Sequence, residues 1–237
     1  MRIDFWSDII CPWCGLMEHR LDEAVERFAH GDEVKVVHRS FPLHPDLPVE
    51  GTTQIEMAKQ YGLSRDAIAR NLLPIEQLAE REGLRPYRAL ERPMGPTAML
   101  HELLAFAGER GLHTEAWHQA FRQHFGEGRN LWSVDDVVAF AVDLGLDPDE
   151  VRDVLRSGRY RAQVQRDQRE AQELGAGGTP FIVIDGSLAL PGARDIDGIV
   201  ALLERAWAAS HPVVVVDEGA MCLPDEGVCQ PGLDATA

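Results

Sequence analysis

Cys11-Pro12-Trp13-Cys14 follows directly on a short apolar strand pattern and opens an amphipathic helix. Two thiols three positions apart at a helix N-terminus can close into a disulfide and reopen, and the helix end favours the ionised form of the first sulfur. Ile3, Phe5 and Ile9-Ile10 mark the strand side; Cys14, Met17, Leu21, Val25 and Phe28 then recur at helical spacing. Pro12 suits the first helical turn, where the amide hydrogen it lacks would have no intrahelical partner. Cys11 is therefore expected at the cap, facing solvent, and Cys14 one turn inward on the stripe that faces the core. On that geometry Cys11 attacks and Cys14 resolves.

A CxxC can also be half of a zinc site, with Cys222 and Cys229 as further thiolates. Zinc-binding pairs, however, usually sit on turns rather than at a strand-to-helix junction with Pro and Trp between them, so no metal is assigned. Far downstream, Gly175-Ala176-Gly177-Gly178-Thr179-Pro180 leads into Phe181-Ile182-Val183-Ile184, a β-branched run closed by Asp185-Gly186. A phosphate cradle is excluded by context, because phosphate loops open a helix and a strand follows here. Pro180 at a strand start is allowed by its missing donor, and X-Pro is the one bond where a cis peptide is cheap.

A CPWC after the first strand, with Thr-Pro opening a late strand after a long helical stretch, resembles the DsbA-like branch of the thioredoxin superfamily over residues 1–210. Within that branch the chain is most similar to FrnE-type proteins, which carry extra cysteines near the C-terminus. The resemblance implies an α/β thioredoxin-like fold with an inserted all-helical domain. It also implies that Pro180 is cis and lies beside the CxxC, with Thr179 offering its backbone to a substrate chain. It further implies a second redox pair, Cys222 and Cys229. Read from the residues alone, those two bracket a turn-rich hexapeptide and can reach each other, so a passive disulfide or free or metal-bound thiols stay open.

The organisation expected is a thioredoxin-like domain from residues 1–50 and 176–210, a helical insert over 51–175 and a tail over 211–237. Val34 to Arg39 reads as a second strand. Helices are expected at Thr53–Tyr61, Met99–Ala107, Ala116–Phe125, Val137–Leu144, Val151–Leu155, Arg159–Leu174 and Ile196–Ala209, with Ser64, Ser133, Asp147 and Asp195 as caps. Pro74 and Gly83 are expected to punctuate the segments after Ser64. The histidines at 19, 30, 38, 44, 101, 113, 118 and 124 form no HxxxH or HExxH pair, so none is read as a ligand. Trp117, Phe121 and Phe125 read as core packing, and neither Glu18 nor His19 receives a role.

A formal net charge of −16 argues against nucleic-acid and anionic-membrane partners, both of which need basic patches. No basic-then-apolar leader precedes the CPWC and no apolar run approaches spanning length, so the expected compartment is the cytoplasm. Four cysteines are too few for a disulfide scaffold at 237 residues. The function expected is thiol–disulfide exchange or isomerisation on protein or small-thiol disulfides, with no bound cofactor and glutathione as a candidate co-substrate. Two alternatives stand beside it: a glutathione-dependent isomerase or transferase on the same fold, resembling 2-hydroxychromene-2-carboxylate isomerases, and a zinc-bound redox-sensing interaction module. Oligomeric state has no signal in the sequence.

Overall fold

Strand β1 (Arg2–Ser7) lies at the centre of the molecule, with its residues alternating between two apolar layers. In the computed structural model, which describes residues 1–211, 221–222 and 229–230, the chain leaves β1 through a short turn into α1 (Pro12–Arg27) and returns as β2 (Lys35–Ser40). That crossover makes β1 and β2 parallel, Ile3 opposite Val36 and Phe5 opposite His38. After a long helical excursion the chain comes back as β5 (Phe181–Ile184), antiparallel to β1 with Ile3 opposite Ile184, and turns into β6 (Leu188–Pro191). The sheet order is β2-β1-β5-β6. At the β5–β6 turn Asp185 and Gly186 both take positive φ, 46° and 66°, the mirror-image turn that matches strand twist and that Asp-Gly favours.

The excursion contains β3 (Thr52–Thr53), α2 (Gln54–Gln60), α3 (Arg65–Arg81), β4 (Pro93–Met94), α4 (Ala98–Glu109), α5 (His113–Phe121), α6 (Val134–Asp143), α7 (Pro148–Ser157) and α8 (Arg161–Glu173). The sequence-expected caps are in place. Ser64 accepts from Ala67 N, Ser133 and Asp136 form a reciprocal capping box, and Asp147 accepts from the amides of Asp149 and Glu150. Two local expectations are corrected. Helix α3 runs through Pro74 instead of stopping there. A proline inside a helix costs about 3 kcal/mol, but breaking the helix would expose Ile75 and Ala79, which are buried beyond it. Helix α5 ends at Phe121 and passes into a wide π turn over Arg122–Glu127, which keeps Phe125 in the core.

The alternation along the strands fixes the layers. Ile3 and Phe5 of β1, with Ile182 and Ile184 of β5, share a core with Leu16, Met17 and Leu21 of α1 and with Ile199 and Leu203 of α9 (Ile196–Ser210). Each of these side chains contributes about 2 kcal/mol by leaving water. The opposite face carries Trp6, Phe181 and Val183, covered by Ala171 of α8. Trp6 Nε1 donates to the Asp167 carbonyl at 2.7 Å, and Arg39 holds the Asp167 carboxylate at 2.9 Å. Helix α8, on the stretch read as insert, thus lies directly on the sheet. Past α9, β7 (Met221–Cys222) and β8 (Cys229–Gln230) pair antiparallel with Cys222 opposite Cys229. Among the described residues no helix is long and apolar enough to cross a membrane.

Candidate active site

The β1–α1 junction builds the site because every step of it is locally dictated. Cys11 takes an extended φ/ψ of −83°/114° as the N-cap, Pro12 follows in the first helical turn, and the Cys11 amide donates to the Asp8 carbonyl at 3.0 Å. Cys14 N donates to the Cys11 carbonyl at 2.9 Å, closing the first turn over the pair. The loop before β5 then lays Thr179 and Pro180 against it. The Thr179–Pro180 bond is cis, and Cys11 Sγ lies 3.6 Å from the Thr179 carbonyl oxygen. Residues separated by 168 positions thereby meet at one sulfur.

The two thiols differ sharply in acidity. The Cys14 thiol donating toward the Cys11 sulfur outweighs burial and brings Cys11 down to about 7. Burial pushes Cys14 well above an ordinary thiol, and the neighbouring Cys11 sulfur pushes it the same way. The expectation of a solvent-facing Cys11 is corrected: it is only 6 % exposed, while Trp13 beside it is 39 % exposed. Its cover is the segment between α3 and β4. There Tyr87 Oη donates to the Pro12 carbonyl at 2.5 Å and stacks on Phe125 at 4.6 Å. Gly15 leaves the room for this, since a Cβ there would sit 2.6 Å from Tyr87 Oη.

Three neighbours of the pair have no signal in the sequence pattern. Asp8 is wholly buried; burial pushes its carboxyl up, but His101 at 3.3 Å and the Leu43 amide at 2.6 Å hold it below the usual carboxylate range. Arg92, also buried, donates to the Ile10 carbonyl at 2.9 Å. Tyr87 is the third. Only Asp8 is close enough in sequence to have been suspected.

Further along α1, Glu18 anchors a second polar cluster. His38 Nε2 lies 2.8 Å from both of its oxygens, and His118 Nε2 lies 2.8 Å from Oε1 and 3.2 Å from Asp22. Burial raises Glu18, yet the two imidazoles bring it down to about 2. A cleft of about 500 Å³ opens here, lined by Gly15, Glu18, Asp22, Tyr87, His118 and Phe121 among others. Glu18, Asp22 and His118 place ligand atoms within 4.8 Å of one another. His118 already bridges the two carboxylates, so the trio reads as an ion-pair network, and it does not include Cys11 or Cys14. Because Glu18 ionises more readily folded than unfolded, its contribution is fully present above about pH 4.5 and is lost as pH falls toward 2. Glu18→Gln is expected to lower unfolding free energy by about 3 kcal/mol at neutral pH. In urea denaturation the gap to wild type then narrows through that acid window.

The comparisons with known proteins identify the family and the fold. The family model described as the DSBA-like thioredoxin domain matches residues 2–204, and the chain belongs to that family of thiol–disulfide oxidoreductases. The probable DsbA oxidoreductase of Streptomyces coelicolor is 37 % identical and superposes with a TM-score of 0.84, covering 98 % of this chain and 100 % of that one. A 2-hydroxychromene-2-carboxylate isomerase superposes at 0.65 with 14 % identity, covering 89 % of this chain and 98 % of its own. The cytosolic disulfide reductase DsbM of Pseudomonas aeruginosa, solved also with GSH, superposes at 0.59 with 19 % identity over 88 % of this chain and 100 % of its own. At those last identities the likeness is one of fold. The thioredoxin-like fold with helices inserted in it is as the sequence led one to expect. Of Cys222 and Cys229 only the backbone pairing is described, and the expected redox pairing of their sulfurs lies outside what the structure describes.

Proposed function

We propose that the protein exchanges disulfides through Cys11 and Cys14, with Thr179 and Pro180 as the docking edge for the partner chain. The Cys11 thiolate attacks one sulfur of a substrate disulfide; an S–S bond forms to Cys11, and the other substrate sulfur leaves as a thiolate that takes up a proton. Cys14 then loses its proton and attacks Cys11 Sγ. The product is the Cys11–Cys14 disulfide and the fully reduced substrate, and the reverse sequence oxidises a dithiol. The observation that carries the reading is the unequal pair itself. An acidic sulfur and a reluctant one share a helical turn beside the Thr179 carbonyl. Pro12 and Trp13 shape the turn and its exposed rim.

The substrates are thiol- or disulfide-bearing proteins or small molecules, in the cytoplasm, with glutathione as co-substrate; the likeness to DsbM, which has been solved with GSH, supports that choice. We place the chain with the FrnE-type proteins on its tail cysteines, Cys222 and Cys229, which then act as an auxiliary redox pair. A glutathione-dependent isomerase is the second reading, favoured by the fold shared with the chromene-carboxylate enzyme. A serine typically replaces the first cysteine in the enzymes it would resemble, which weighs against it. The test is to expose the fully reduced protein to excess oxidised glutathione and map the products by mass spectrometry. Exchange predicts an internal Cys11–Cys14 disulfide and released reduced glutathione. An inert Cys11–Cys14 pair, together with turnover of a chromene carboxylate, would favour the second reading.

A further inference from the structure

Arg92, just before β4, is 5 % exposed, and its bonds run to neutral groups only. Nε donates to the Ile10 carbonyl at 2.9 Å, Nη2 to Gln54 Oε1 at 2.7 Å, and Nη1 to the Ala89 carbonyl. Among the described residues no carboxylate oxygen comes within 4.0 Å of it. Arg20, the comparably buried arginine, has Glu82 at 2.6 Å. A buried guanidinium normally has such an anion, because hydrogen bonds alone leave most of the desolvation uncompensated. Burial brings Arg92 down to about 10, which still leaves it a cation at neutral pH.

The charged and titratable groups that face Arg92 are Cys11, Tyr87, Asp8, Glu76 and His124. Burial keeps the Tyr87 hydroxyl protonated and brings His124 down to about 4, so both are neutral. Glu76 accepts the Ala89 and Leu90 amides, and Asp8 is held by His101 and Leu43. Cys11 is left as the group whose charge changes in the working range. It is also the residue that follows the carbonyl Arg92 grips. The groups facing Cys11 itself are Asp8 from the preceding turn, Cys14 from α1, and Tyr87 and Arg92 from the covering segment.

We propose that Arg92 is a positioning residue for exchange: its unpaired buried charge, moored to the carbonyl that leads into Cys11, favours the thiolate over both thiol and disulfide, and Asp8 opposes it from the other side. The role rests on the exchange reading of Cys11. When Cys11 loses its proton, the anion supplies the counter-charge Arg92 lacks; when Cys11 enters a disulfide, that charge departs with the leaving sulfur. Arg92 therefore stabilises the reduced, ionised state and makes the Cys11–Cys14 disulfide a stronger oxidant.

The experiment follows Cys11 alkylation by iodoacetamide against pH, and the equilibrium with glutathione, in the full chain. Arg92→Met is expected to raise the Cys11 half-point by about one unit. Alkylation at pH 7 then slows about fivefold, and the glutathione equilibrium moves roughly twofold toward the disulfide at the same pH. Arg92→Lys keeps the charge but not the three-way fork. It should lose stability as Arg92→Met does while holding the wild-type half-point. Asp8→Asn should shift the half-point down. If Arg92→Met does not fold, Arg92→Gln, which removes the charge but keeps a donor for the Ile10 carbonyl, takes its place: a raised half-point with glutamine supports the role and an unchanged one overturns it. A half-point indifferent to Arg92→Met, a lysine variant displaced as far as the methionine one, or an Asp8→Asn half-point that fails to fall overturns it. A wild-type half-point at the ordinary thiol value would instead count against the exchange reading itself.

Discussion

Cys11→Ser is expected to abolish disulfide exchange, lowering turnover of a protein disulfide by roughly three orders of magnitude or more. A hydroxyl in this place stays protonated, because the surroundings that bring the thiol to about 7 start from a group several units less acidic. The change is nearly isosteric at a residue already under cover. Stability is therefore expected to stay within about 1 kcal/mol of wild type, so the loss is one of chemistry. Insulin reduction with glutathione as reductant measures the first quantity and urea denaturation the second. Activity retained in Cys11→Ser would show that another sulfur begins the reaction. The same variant probes the second reading directly, since it restores the serine of the isomerase pattern: chromene-carboxylate turnover that rises in Cys11→Ser would argue for that ancestry of the site.

Cys14→Ser has the opposite signature. With the first attack kept and the resolving sulfur gone, mixed disulfides at Cys11 are expected to accumulate to near stoichiometry and to survive until an outside thiol removes them. Cys14 is wholly buried, and burial holds its thiol well above ordinary values, so it reacts only when Cys11 presents a bond to break. Serine and alanine should also differ here. A serine hydroxyl still donates to the Cys11 sulfur and keeps much of its acidity, whereas Cys14→Ala removes the largest cause of the low Cys11 value. Cys14→Ala is therefore expected to alkylate several-fold more slowly than Cys14→Ser at pH 7. Equal rates would mean that the helix end, not the Cys14 donor, governs Cys11.

Much of this site was legible in the sequence wherever the physics is local. Cys11 as N-cap, Pro12 in the first turn, the Asp185-Gly186 turn, and the caps at Ser64, Ser133, Asp147 and Asp195 each depend on a few neighbouring residues. The meeting of Cys11 with Thr179 was expected from family resemblance, since nothing in the composition of the intervening residues shows it. Whatever depends on packing between distant segments stayed hidden. Arg92 carries no motif; it matters because β3 and β4, two residues each and too short for any periodic signal, pin its segment over the α1 N-terminus. Glu18 looked like one more acidic residue on α1 until β2 and α5 brought His38 and His118 to it. Pro74 misled for the same reason, because the burial that carries α3 through it is tertiary.

The most direct measurement is the pH dependence of iodoacetamide labelling at Cys11 and Cys14 separately, read by mass spectrometry on the reduced wild-type protein. An unequal pair predicts a half-point near 7 for Cys11 and no labelling of Cys14 until the solution is far more alkaline. Two sulfurs titrating together near about 8.5, the value of a free thiol, would contradict it.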